Sequence, residues 1–242
     1  MSVADEQRVL EEHDEPHDQG FGERLNWLRA GVLGAGDGIV STAGIVIGVA
    51  AATTERSTIL TAGLAGLVAG AMSMAVGEYV SVSTQRDAEV ALIAKETREL
   101  REEPEAELAE LAEIYTQKGL SEELAHEVAV QLTAHDALGA HLEAELGIDR
   151  NALTKPWHAA YASFVAFTVG ALVPLVAILL VGVSARVPVT VGAVVLALLV
   201  TGSLSARLGG APGGPAVRRN VLGGVLAMAV TYGIGSLVGT QI

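Results

Sequence analysis

Residues 59–85 read ILTAGLAGLVAGAMSMAVGEYVSVSTQ, and over residues 59–83 the single charged side chain is Glu78. A helix rises 1.5 Å per residue, so about 20 apolar residues cross a hydrocarbon core of roughly 30 Å, in which the backbone must satisfy its own hydrogen bonds. This stretch is long enough. Its glycines, Gly63, Gly66, Gly70 and Gly77, give it small faces through which helices can approach closely in lipid. Four further stretches qualify, at 30–53, 158–185, 187–206 and 220–241. The three C-terminal ones hold no Asp, Glu, Lys or Arg, and the one at 30–53 holds Asp37 alone. The sequence therefore predicts an all-α membrane protein with five transmembrane helices. Pro174 predicts a kink in the third span, and Pro188 suits the first turn of the fourth.

Charge is segregated along the chain. Of 28 acidic and 15 basic side chains, residues 1–23 carry eight acids and one base, and residues 85–155 carry 17 acids and seven bases. Residues 156–242 carry four arginines and no carboxylate. A net charge of −13 argues against nucleic acid as a partner, since binding to a phosphate backbone needs a basic surface. The absence of cysteine excludes disulfides, thiolate metal sites and thiol nucleophiles. With the N-terminus in the cytoplasm, thirteen Lys and Arg fall on that side and only Arg56 and Arg186 on the other, which sets the orientation. Residues 1–23, with His13 and His17, then form a disordered acidic cytoplasmic tail. Residues 24–84 hold the first two spans, 85–155 form an acidic cytoplasmic domain, and 156–242 hold the last three spans, with the C-terminus outside. Trp27, Trp157 and Tyr161 fall at the expected water boundaries.

The cytoplasmic block has helical periodicity and clear punctuation. The second span continues as one helix to about Glu103, where Pro104 ends it. A second helix covers 105–118 and stops at Gly119, and a third starts at the N-cap Ser121 and ends at Gly147. Leu108, Leu111, Tyr115, Leu124, Val128, Leu132, Leu138, Leu142 and Leu146 form the expected core of this three-helix unit. Glu89, Glu96, Glu99 and Glu103 share one face of the first helix, Glu99 pairs with Glu102 at i,i+3, and Glu107, Glu110 and Glu113 repeat every three residues on the second. Like charges so spaced repel, and a divalent cation held by oxygen ligands would offset that. The same spacing also fits a solvated face partly neutralised by Lys95, Arg98 and Arg101. On the third helix His141 and Glu145 lie one turn apart and could ligate together, and Glu123 with His126 makes a single Glu-x-x-His pair. A di-iron oxidase bundle needs two such motifs.

Asp37 and Glu78 are ionisable residues at bilayer depth, which costs ~2.5–3.5 kcal/mol or more and points to a cavity or a partner. Ser41 lies one turn after Asp37, and Met74 one turn before Glu78, with Met72 beside it. Together they suggest a polar seam through the bundle, although Met72 and Met74 fit lipid-facing positions equally well. Carboxylates beside a thioether suit a borderline divalent ion such as Fe²⁺ better than Ca²⁺ or Mg²⁺.

The glycine-rich Gly34-Ala-Gly-Asp37-Gly-Ile-Val-Ser-Thr, the run Ala69 to Tyr79, and the insert closing with Glu-Ala-Glu-Leu-Gly-Ile at Glu143 to Ile148 resemble the vacuolar iron transporter family, as a bacterial member, over about residues 24–241. The resemblance implies a homodimer in the lipid bilayer with the transport path near its interface, and a cytoplasmic three-helix metal-binding domain. It also implies removal of Fe²⁺ or Mn²⁺ from the cytoplasm in exchange for protons, from the cell membrane of a prokaryote, by a protein that is not an enzyme. No permanently bound cofactor is expected, Fe²⁺ or Mn²⁺ being transported and regulatory ions. By position, Asp37 matches the family's first-helix carboxylate and Met74 its second-helix methionine, while the family glutamate two turns earlier falls on Gly66. Glu78, one turn below Met74, is the candidate to replace it. In the insert Glu99, Glu102, Glu110, Glu113 and Glu145 align with the family's glutamate ligands, with the register between Glu102 and Glu113 open by a turn, and His141 falls where plant-type members have a methionine. Two other functions remain compatible with the residues: a metal-sensing membrane scaffold and a membrane-bound ferroxidase.

Overall fold

A computed structural model of the chain describes residues 21–149, 153–210 and 212–240, with 21–30 described as backbone. The acidic tail expected at 1–23, apart from its last three residues, and the side chain of Trp27 lie outside the described residues. Among the described residues the chain forms seven α-helices: α1 Phe21–Ala52, α2 Arg56–Glu102, α3 Pro104–Gln117, α4 Glu122–His141, α5 Pro156–Leu180, α6 Arg186–Leu208 and α7 Gly213–Gly239. A π-helical turn, Leu142–Leu146, follows α4. Five helices, α1, α2, α5, α6 and α7, are long and apolar enough to cross a membrane.

Within the bundle α1 is central and touches α2, α5, α6 and α7. Lipid offers helices no hydrophobic reason to pair, so attraction comes from close packing through small residues. Gly38 lies against the Phe167 carbonyl of α5, and Gly170 against the Ala35 carbonyl of α1. On the other side Gly48 and Gly235 bring α1 and α7 together backbone to backbone. A methyl group has no room at Gly38, Gly170 or Gly235 without moving main chain. Around these contacts Ile39, Ile47, Ile59, Phe167, Ile178 and Leu198 are buried. Pro174 is buried inside α5, which stays one helix from Pro156 to Leu180, and Pro188 sits in the first turn of α6. At the end where α1 turns into α2, Arg186 Nη1 donates to the Thr54 carbonyl at 3.0 Å and Arg56 Nη2 donates to the Val181 carbonyl at 3.3 Å.

Helix α2 has 47 residues and is therefore about 70 Å long, more than twice what a bilayer core needs. Its C-terminal half projects beyond the apolar stretch as a stalk. The stalk ends where Pro104 takes the first position of α3, a place where its missing N–H costs nothing. Helices α3 and α4 pack on each other, and both touch α2. Ser121 caps α4 by accepting from the Leu124 N–H at 3.4 Å. Leu111 and Leu142 of the expected core are fully buried, but Leu124 is exposed, and Ala125 and Ala129 take the inner face of α4 instead. Small side chains there let α3 approach closely. Near the base of the stalk the rings of Tyr79 and Trp157 meet at 4.7 Å, and Trp157 and Tyr161 are largely exposed, as interfacial anchors would be.

Candidate metal site

Three elements converge on His141, whose side chain is completely buried. Its Nδ1 lies 3.0 Å from Glu96 Oε1 of α2, 3.6 Å from Glu107 Oε2 of α3 and 4.0 Å from Glu145 Oε2 of the π turn. One ligand atom from each of Glu96, Glu107 and His141 lies within 4.8 Å of the other two. Glu96 and Glu107 are themselves buried.

These groups have donors and acceptors with no hydrogen-bond partner. Although His141 Nδ1 and Glu96 Oε1 lie 3.0 Å apart, neither makes a hydrogen bond of acceptable geometry, and His141 Nε2 is buried with no partner. A buried polar atom left in that state costs about 1–3 kcal/mol, so a set of them converging on one point calls for a ligand that all of them can bind. One imidazole nitrogen with several carboxylate oxygens is a donor set for a borderline divalent ion such as Fe²⁺, Mn²⁺ or Zn²⁺. The electrostatics agree. Burial, followed by the charges of Glu145, Glu107, Glu99 and Glu110, pushes the Glu96 carboxyl up to about 7. Glu107 is also raised, first by burial and then by Glu110, with His141 acting in the opposite sense. A divalent cation would relieve the mutual repulsion.

The structure brings His141 and Glu145 of the expected ligands into this cluster, and Glu99 and Glu110 within reach of Glu96 by charge. Glu99 is half-buried and engaged by Lys95 Nζ at 2.8 Å. Glu102 and Glu113 are exposed, with Glu113 accepting from Gln117 Nε2 at 3.4 Å. Glu96 and Glu107 occupy the centre, although their sequence positions gave them only a place on the acidic faces. The two are 11 residues apart, the same separation as Glu99 from Glu110 and Glu102 from Glu113. A slip of one turn therefore exchanges one carboxylate pair for the next, and burial alone distinguishes them.

In the membrane half, Asp37 is exposed on the single chain, and Ser41, one turn on, is half-buried with its hydroxyl donating to the Asp37 carbonyl. Met74 and Glu78 are half-buried, Met74 packing against the core, whereas Met72 is exposed. Gly66 faces Ile45, and Gly63 faces Val46. Carried two turns along the antiparallel pair, that register sets Asp37 level with Ser73 and Met74, and Glu78 about one turn nearer the stalk. Leu33, Asp37, Ser41 and Ile45 thus line an open strip of α1 beside α2.

Residues 28–236 match the VIT family. The chain is 42% identical over 218 residues to a "Vacuolar iron transporter" from Acanthamoeba castellanii, covering 87% of this chain and 78% of that protein. It is 38% identical over 222 residues to "Vacuolar iron transporter homolog 1" from Arabidopsis thaliana, covering 91% and 88% of the two chains. It is 34% identical over 238 residues to "VIT-like transporter 1b" from Glycine max, covering 98% and 87%.

Proposed function

The chain belongs to the VIT family, and from that membership and the geometry above we propose that it transports divalent iron or manganese out of the cytoplasm in exchange for protons. With five membrane-length helices it is an integral membrane protein. The observation that carries the reading is the position of the buried Glu96, Glu107 and His141 cluster at the tip of α2, the same helix whose membrane half carries Met74 and Glu78. At 100° per residue Met74, Glu78, Gln85, Glu89 and Glu96 fall within about 60° on α2, so one helix face links the cluster to the membrane seam. Glu96 lies about 27 Å along the helix from Glu78.

In this mechanism the carboxylates of the insert collect the cation and raise its concentration beside the membrane. Glu78, Met74 and Asp37 then pass it across. Protons arriving from the far side neutralise the carboxylates, remove the charge that holds the cation and reset the seam. The excess of Lys and Arg on the side of the insert supports a cytoplasmic location for the cluster. The exposure of Asp37 on the single chain supports a homodimer. A carboxylate turned to lipid would cost ~2.5–3.5 kcal/mol or more, and a second copy covering the strip from Leu33 to Ile45 would remove that exposure and complete the path between the two chains.

Uptake of Fe²⁺, Mn²⁺ and Zn²⁺ into proteoliposomes, with and without an acidic lumen, tests the proposal. The expected result is accumulation of Fe²⁺ and Mn²⁺ that quickens when the lumen is acidic. Binding with no flux would replace it with the metal-sensing scaffold, and oxygen-dependent Fe²⁺ oxidation with no flux would replace it with the ferroxidase.

A further inference from the structure

Helix α4 does not run straight into the cluster. Its buried face is marked by Ala125 and Ala129. Continued at 100° per residue from Ala125, an unbroken helix would set Glu143 on that same line and turn His141 about 160° away, toward solvent. The structure has the reverse arrangement, with His141 completely buried and Glu143 exposed. The re-registration occurs at Asp136, whose backbone leaves the helix for an extended conformation (φ −157°, ψ 86°).

Asp136 then starts the helix again. Its Oδ1 accepts the Gly139 N–H at 3.1 Å, the bond that an N-cap makes to the third residue of a new helix. The carboxylate lies so close over Gly139 that a Cβ there would stand 2.5 Å from Asp136 Oδ2. The restarted segment continues through His141 into the π turn, with His141 and Glu145, four residues apart, on one side. It closes where the Ile148 N–H bonds to the Leu142 carbonyl at 2.8 Å, past Gly147 in the left-handed region at φ 63°.

We propose that Asp136 and Gly139 form an internal helix cap that turns His141 into the cluster, which makes Asp136 a positioning residue for the metal site. The inference rests on the metal reading of that cluster. It adds a residue that never touches the ion yet decides whether the imidazole can.

The test uses the full chain in detergent with two readouts. One is carbethoxylation of His141 in metal-free protein, mapped by peptide mass spectrometry, with the exposed His126 and His135 as internal references. The other is Co²⁺ affinity. Asp136→Ala is expected to raise His141 reactivity to that of the reference histidines and to weaken Co²⁺ binding about tenfold or more, the usual scale for loss of an orienting partner. Asp136→Asn, which can still cap, is expected to restore both. Gly139→Ala is expected to resemble Asp136→Ala. In a His141→Ala background, Asp136→Ala should cost no further affinity. Wild-type protection and affinity in Asp136→Ala, or an equal loss in the His141→Ala background, would overturn the inference. Failure of the wild type to bind Co²⁺ would remove the metal reading instead, while the histidine reactivity would still decide the role of Asp136.

Discussion

Glu96 is the residue at which burial and charge act together most strongly. Its carboxyl titrates at about 7 against an ordinary 4.5. A carboxylic acid whose folded-state pKa is raised holds its proton more tightly when folded, so its contribution favours the metal-free fold at acidic pH and is lost as pH rises from about 4.5 to about 7. Glu96→Gln keeps the shape without the charge. In chelator, this variant should unfold at a higher temperature than wild type at pH 8 and at the same temperature at pH 4; a difference that does not change with pH would show that charge at Glu96 is not the strain. Metal reverses the ranking, because protons and cations compete for the same oxygens. Co²⁺ affinity of the wild type should fall as pH drops below about 7, and a pH-independent isotherm would contradict this. At this scale the sequence was legible to within one helical turn. Carboxylates repeating every third residue on two facing helices leave each pairing the same as its neighbour in type and separation, so the choice of Glu96 and Glu107 required knowing which turn is buried.

Elements are set by glycine as much as by hydrophobicity. Because Gly38 and Gly235 meet main chain of a neighbouring helix, Gly38→Ala and Gly235→Ala should each destabilise the bundle by about 1–3 kcal/mol, as overpacked cores do. Gly192 of α6 has nothing within 4 Å of its missing side chain, so Gly192→Ala should be neutral or stabilising by up to about 1 kcal/mol through helix propensity. Thermal unfolding in detergent separates the cases, and equal effects at the three positions would contradict the packing account. The spans and the stop at Pro104 follow from composition and proline chemistry and could be read directly. The break in α4 left only a trace there. Leu124, Val128 and Leu132 repeat every four residues, the next place in that rhythm is Asp136, and Leu138, Leu142 and Leu146 resume it two residues out of phase; the conformation of Asp136 shows that the helix itself breaks at this point.

The whole molecule joins a charged three-helix unit to an apolar bundle through one long helix. Polarity of the stalk face should matter to transfer and not to capture: Glu89→Ala is expected to slow metal uptake while leaving Co²⁺ affinity at the cluster unchanged, and loss of both would place Glu89 among the ligands. The chain contains no cysteine, so a single introduced thiol reports without background. Leu33→Cys, on the strip one turn before Asp37, should cross-link two chains in membranes with a short bismaleimide. Recovery of monomer alone would remove the dimer from the account. The measurement closest to the central claim is Fe²⁺ uptake into proteoliposomes by wild type and by Asp37→Ala, each first shown to be folded and to bind Co²⁺ at the cluster. The account predicts uptake by the wild type and, for Asp37→Ala, uptake no faster than into protein-free vesicles; wild-type uptake by Asp37→Ala would contradict it.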